Sequence, residues 1–212
     1  MVEYHDARAD NARVRFLPEL FSHNRAWAAE QTRRDPDFFE RLCAIQRPDY
    51  LWIGCSDSRV PANTIVGLEP GKVFVHRNVA NIVRADDPNC LSVLQYAVDV
   101  LGVTQVIVCG HYRCGGVRAA LGPLGVEPLE GWLAPLRRLR EENAAPLAAL
   151  AGEDARWNRL CELNVIAQVH TVAGTPTVQS AWRRGQRLVG HGRIYDLQDG
   201  LLRDLEVSTD GQ

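Results

Sequence analysis

The chain has 212 residues, 46 % hydrophobic and 24 % charged, with a formal net charge of −2. That is the composition of a globular protein with a sizeable core, and its charge gives no reason to expect nucleic acid or an anionic membrane as partner. The N-terminal stretch "MVEYHDARADNARVRF" lacks the charged-then-apolar order of a signal sequence, and no apolar run is long enough to cross a bilayer, so a cytoplasmic location is expected.

No internal repeat, low-complexity tract or Gly/Ser/Pro-rich linker divides the chain, so one domain over 1–212 is expected. Apolar positions Phe16, Leu17, Leu20 and Phe21, then Phe38, Phe39 and Leu42, predict helices before residue 45. This forms an arm over 1–45, suited to packing or to contact with a second copy. "YLWIGC" (50–55) and "KVFVHRN" (72–78) predict strands from their apolar, β-branched character. "DPNCLSVLQYAVDVLG" predicts a helix started by Pro88 and Asn89 and stopped by Gly102. "TQVIVCGH" is the next strand, leading directly into a "CGGVRAAL" helix. Helices follow in "GWLAPLRRLREENAAPLAALAG", "EDARWNRLCELNVIAQVHTVAG" and "PTVQSAWRRG", and a strand pair is expected across Asp199 and Gly200. Strand alternating with helix is the pattern of α/β folds, so a mostly parallel central sheet flanked by helices on both faces is predicted, with a C-terminal antiparallel strand.

Six cysteines in a long chain with no export signal suit reduced thiols better than a disulfide framework. In open parallel sheets, functional groups gather at the carboxyl ends of strands. Cys55 and Asp57 follow one predicted strand, and His111 and Cys114 follow another. If the two strands are neighbours, two thiolates, an imidazole and a carboxylate face one crevice, a set that suits Zn²⁺ better than Mg²⁺ or Ca²⁺. Singly, each has a plainer reading: a cysteine at a strand end is commonly a small buried hydrophobe, and a histidine near a turn is commonly just hydrogen-bonded. Cys43, Cys90, Cys109 and Cys161 have no such companions and are read as core residues. A closed structural zinc site with four protein ligands also stays open. Arg59, two residues beyond Asp57, offers a bidentate alternative to the metal, which predicts a site with two states.

The stretches "CSDSRVP" (55–61), "FVHRNVAN" (74–81), "CLSVLQYAVDVLG" (90–102) and "CGHYRCGG" (109–116) together resemble the β-class carbonic anhydrases, and the likeness runs from about Arg41 to Val207. The resemblance implies Cys55, His111 and Cys114 as zinc ligands and Asp57 and Arg59 as a dyad. It implies reversible hydration of CO₂ to bicarbonate and a proton by zinc-bound hydroxide, with Gly115 and Gly116 near the bound anion. Two thiolates weaken the metal's pull on its water, so activity is expected to climb above about pH 8.

The chain is also similar to a bicarbonate-regulated bacterial subgroup (type II), through Trp52, Gly54, Arg77 and Tyr195. This implies an allosteric bicarbonate site that displaces Val60 and its loop, so that Asp57 leaves Arg59 and becomes a fourth metal ligand, giving inhibition by bicarbonate and low pH. The same source implies a homo-oligomer, a dimer or a dimer of dimers. A hydrolase of carbon disulfide or carbonyl sulfide on the same scaffold, or a non-catalytic zinc module, are the alternatives. His5, His23, His76, His170 and His191 are proton-shuttle candidates that no spacing separates. Arg113 inside "HYRCGG" has no readable consequence.

Overall fold

The computed structural model describes residues 17–122 and 126–211, which fall into two compact units divided after Gln46. The predicted helical positions before residue 17, and His5, lie outside the described residues. In the first unit, helix α1 (Pro18–Arg34) opens on a proline and closes on Arg33 and Arg34, a charge order that suits the helix dipole. Helix α2 (Phe38–Ala44) follows, and Trp27, Phe38 and Phe39 meet edge-to-face at 5.0–6.2 Å. Leu17, Leu20 and Phe21 are exposed. So is Cys43, which corrects its reading as a core residue: α2 is a two-turn helix whose buried position is Phe38.

The second unit is built on a five-stranded sheet. Strands β1 (Tyr50–Cys55), β2 (Val73–Asn78), β3 (Gln105–His111), β4 (Val189–Tyr195) and β5 (Leu202–Thr209) lie in the order β2-β1-β3-β4-β5. All neighbours are parallel except β4 and β5, the expected antiparallel terminal pair. Five of the six residues of β1 are buried, as befits a parallel strand covered on both faces.

The remaining helices are α3 (Ala62–Ile65), α4 (Pro88–Gln95), α5 (Gly115–Ala119), α6 (Leu129–Glu142), α7 (Ala144–Ala148), α8 (Glu153–Gly174) and α9 (Pro176–Arg183). Asp87 caps α4 by accepting from the Asn89 amide at 3.0 Å, and Pro88 fills its first position. The predicted single helix over this stretch is in fact α-helical only to Gln95. It widens to a π turn over Tyr96–Val100, where the Leu101 amide reaches back five residues to the Tyr96 carbonyl, and Gly102 ends it with a φ of 69°.

Within this unit, the described helices cover the two faces unequally. Leu51, Ile53, Val106 and Val108 pack beneath Leu94 of α4, Val165, Val169 and Val172 of α8, and Val178 of α9. Each such fully buried aliphatic side chain favours the folded state by about 1.5–3 kcal/mol. On the other face, the described residues of this unit place only α3, with Ala62 and Ile65 beside Trp52, Cys109 and Tyr195. A third cluster sits past the carboxyl ends of the strands, where Val117, Leu133, Leu136, Leu147 and Leu160 bring α5, α6, α7 and the first half of α8 around Cys55 and Cys114.

Candidate metal centre

β1 and β3 are adjacent, with Gly54 paired to Cys109, so the groups that follow them converge. The ligand atoms of Cys55, His111 and Cys114 lie within 4.8 Å of one another, and all three residues are buried. The sulfurs of Cys55 and Cys114 are 3.8 Å apart, too far for a disulfide, and both thiols are free. Of the two, Cys55 ionises first, its pKa lowered because the Cys114 thiol hydrogen-bonds to it. That same contact, with burial, holds Cys114 protonated. Both become thiolates together only if a cation takes the proton's place.

The Nδ1 atom of His111 stands 3.0 Å from the Tyr112 carbonyl. A carbonyl can only accept, so Nδ1 carries the proton and Nε2 the lone pair. Among the described residues Nε2 is buried without a hydrogen-bond partner, and Oδ2 of Asp57 is 3.6 Å away. A buried lone pair facing two sulfurs is costly in an empty pocket and suits a coordinated ion, and two sulfurs with one nitrogen fit Zn²⁺.

Asp57 stands outside this trio. It accepts from Arg59 three times: Nε at 2.9 Å and the backbone amide at 2.9 Å on Oδ1, and Nη2 at 2.7 Å on Oδ2. The Arg59 guanidinium lowers the Asp57 pKa to about 2, so the carboxylate is ionised at any ordinary pH. The loop that carries it is tied down by Arg77, which donates from Nε to the Cys55 carbonyl at 2.7 Å and from Nη2 to the Asp57 carbonyl, an oxygen that also accepts from the Val60 amide.

Trp52 and Tyr195 share the apolar cluster beside α3, and Arg77 stands in register with Gly54. Gly54 is required by close approach: an added Cβ would lie 2.5 Å from the Trp52 indole nitrogen. Gly116 is required in the same way, by Val79 and Ala80, whereas a Cβ at Gly115 would meet nothing within 4 Å. Among the other described histidines, His76 contacts Asn78 and His191 contacts Gln105 and Ser208, burial lowers the pKa of each, and none joins the trio.

The 111–114 loop is braced mainly from α8, a role the sequence reading did not find. Tyr112 donates its hydroxyl to Glu162, the Arg113 amide donates to Asn158, and the Trp157 indole donates to the Cys114 carbonyl. Two residues on, Asn164 donates to the Ala80 carbonyl and accepts from Gln168, which supports the left-handed turn at Ala80 and Asn81. The signal was available as pairs of polar residues four apart, 158 with 162 and 164 with 168, within an otherwise core-facing helix.

Residues 50–202 match the family model described as carbonic anhydrase. The chain is 47 % identical to a carbonic anhydrase of Emericella nidulans over 91 % of its own length and 85 % of that protein. It is also similar to one of two tetrameric β-carbonic anhydrases of the filamentous ascomycete Sordaria macrospora, with a TM-score of 0.86, 41 % identity and coverage of 91 % of this chain and 98 % of that one. A Coccomyxa β-carbonic anhydrase in complex with acetazolamide gives a TM-score of 0.88 at 42 % identity, covering 92 % of this chain and 88 % of that one.

Proposed function

Because this chain belongs to the carbonic anhydrase family, β class, and is a carbonic anhydrase, we propose that Cys55, His111 and Cys114 are its zinc ligands and that Asp57 and Arg59 orient the attacking water in the reversible hydration of CO₂ to bicarbonate and a proton. The observation that carries this reading is the unpartnered, buried Nε2 of His111 beside two free thiols, with Asp57 held aside by Arg59. A zinc held there would supply Lewis-acid activation of water.

The chain's own residues do the rest. Oδ1 of Asp57 is saturated by two donors from Arg59, while Oδ2 accepts only one and faces the trio. An ionised carboxylate only accepts, so a water that donates to Oδ2 turns its remaining lone pairs away from Asp57 and toward the substrate. Gly115, with open space beside its Cα, leaves room for the product anion, and Gly116 lets α5 sit close enough to offer its amides. Stopped-flow CO₂ hydration before and after chelation tests the assignment: the rate should vanish with the metal and return with added zinc, and full activity in fully stripped protein would refute it.

Regulation by bicarbonate is the finer part of the proposal, through Trp52, Gly54, Val60, Arg77 and Tyr195. Its support is that Arg77 and Val60 share the Asp57 carbonyl. A planar anion that takes the Arg77 fork releases the carbonyls of Cys55 and Asp57, frees the 55–60 loop, and lets Asp57 close the short distance to the metal trio; low pH favours the same state. Such an anion shifts the equilibrium only by its preference for that state. The alternative of a non-catalytic zinc module, which needs Asp57 on the metal, draws no support from the Asp57–Arg59 pair. Assembly as a homo-oligomer, a dimer or a dimer of dimers, is part of the proposal, and the Sordaria relatives, which are tetrameric, support the larger form. No helix among the described residues is long and apolar enough to cross a membrane, and a cytoplasmic site of action is proposed.

A further inference from the structure

We propose that Trp157 and Asn158, on the first turns of α8, are positioning residues that aim the His111–Cys114 loop at the metal, an inference that rests on the zinc reading above. Arg113 holds a φ of 57°, a left-handed conformation that costs a residue with a Cβ about 1–2 kcal/mol and persists only where its surroundings enforce it. The enforcing contact is the Asn158 side chain, whose Oδ1 accepts from the Arg113 amide at 3.2 Å. One residue on, the Cys114 carbonyl accepts from the Arg118 amide at 3.0 Å, within the first turn of α5, and also from the Trp157 indole nitrogen at 2.9 Å. The same indole ring carries the Arg118 guanidinium 5.0 Å from its centroid. One ring therefore grips both the carbonyl that opens α5 and a side chain one turn later.

These contacts fix the backbone on either side of the Arg113 turn, and with it the direction of the Cys114 sulfur. Neither Trp157 nor Asn158 belongs to the ligand trio. Their effect is to present the ligands in the coordinating arrangement in advance, so that metal binding costs little reorganisation. Groups of this kind, which orient ligands without touching the metal, typically alter metal affinity by about 10- to 100-fold when removed.

The test uses zinc-loaded holoenzyme and the Trp157→Phe, Asn158→Ala and Asn158→Asp variants. Trp182→Phe is the control, because Trp182 makes the same kind of bond, indole nitrogen to the Leu188 carbonyl at 2.8 Å, far along the chain from the ligand loop. Zinc release to a chromogenic chelator and the visible absorption of cobalt-substituted protein are measured. Trp157→Phe and Asn158→Ala are expected to release zinc about tenfold faster or more and to shift the cobalt bands, while Asn158→Asp, which keeps the acceptor, stays within about twofold of the parent. Trp182→Phe is expected to lower thermal stability without changing either readout. Unchanged release and spectra in both Trp157→Phe and Asn158→Ala would overturn the inference, as would equally fast release from Trp182→Phe. Parent protein that binds no zinc would instead remove the zinc reading itself, and the two failures are told apart by the parent's metal content.

Discussion

The two halves of the site are built differently. Cys55, His111 and Cys114 are at most 5 % exposed, and the loop that carries the last two is bonded to α8 at three points. The Asp57–Arg59 pair sits at the rim, with side chains 15 % and 57 % exposed, and among the described residues the carboxylate's hydrogen bonds all come from Arg59. The contrast teaches that the proposed ligands belong to the folded core and share its stability, whereas the position of Asp57 depends on a single neighbour, Arg59, at the rim. Loss of that one partner should therefore release Asp57 without disturbing the proposed ligands.

Variants that attack each half should separate them. His111→Ala removes a proposed ligand, and zinc content should fall toward zero with CO₂ hydration reduced on the order of a thousandfold or more, as elemental analysis and stopped-flow rates would show; a variant that keeps both would break the contrast at its base. Arg59→Ala should leave the zinc content intact while activity falls by about 10- to 100-fold, because the ligands do not depend on the dyad.

The same variant carries a pH signature. In the parent, the Asp57 pKa is lowered from 3.8 to about 2, so its contribution to stability is complete above the unfolded value and is lost as the pH falls through the folded one. Acid titration of thermal stability should show a shallower fall between those two values in Arg59→Ala than in the parent. Identical curves would mean that the pair does not hold Asp57 in solution.

Tyr195→Phe addresses the loop between the halves: bicarbonate inhibition should weaken several-fold with zinc content unchanged, and inhibition equal to the parent's would remove Tyr195 from the proposed anion site. The smallest effect is expected at Arg113, whose side chain, among the described residues, makes a long, exposed contact with Asp154. Arg113→Gly relieves the left-handed strain and should raise the melting temperature by about 2–4 °C; a lower melting temperature would show that the conformation is not strained.

The difference between the halves also explains how far the sequence could be read. The proposed metal ligands stand out because each closes or follows a short apolar strand, and parallel topology places strand ends together whatever the details of packing. Asp57 and Arg59 are readable as a pair because they are two residues apart. The braces are not, because Trp157, Asn158 and Glu162 lie more than forty residues from the loop they hold, and nothing in their spacing names the partner. Arg113 hides a left-handed turn behind a side chain that rarely adopts one. Cys43 and Cys90 look alike as isolated cysteines, yet one is exposed on a short helix and the other is buried under the sheet. The unequal covering of the two faces was likewise invisible, since strand and helix alternation fixes the order of elements but not the share of each face they protect.

The most direct measurement is the initial rate of CO₂ hydration by zinc-replete protein, followed with a stopped-flow pH indicator across about pH 7 to 9. A rate that rises steeply with pH at constant zinc content is expected if the cysteine–histidine trio holds the metal and Asp57 stands clear of it on Arg59. Zinc-replete protein that remains inactive at the alkaline end would contradict this, and would return Asp57 to the metal as a permanent fourth ligand.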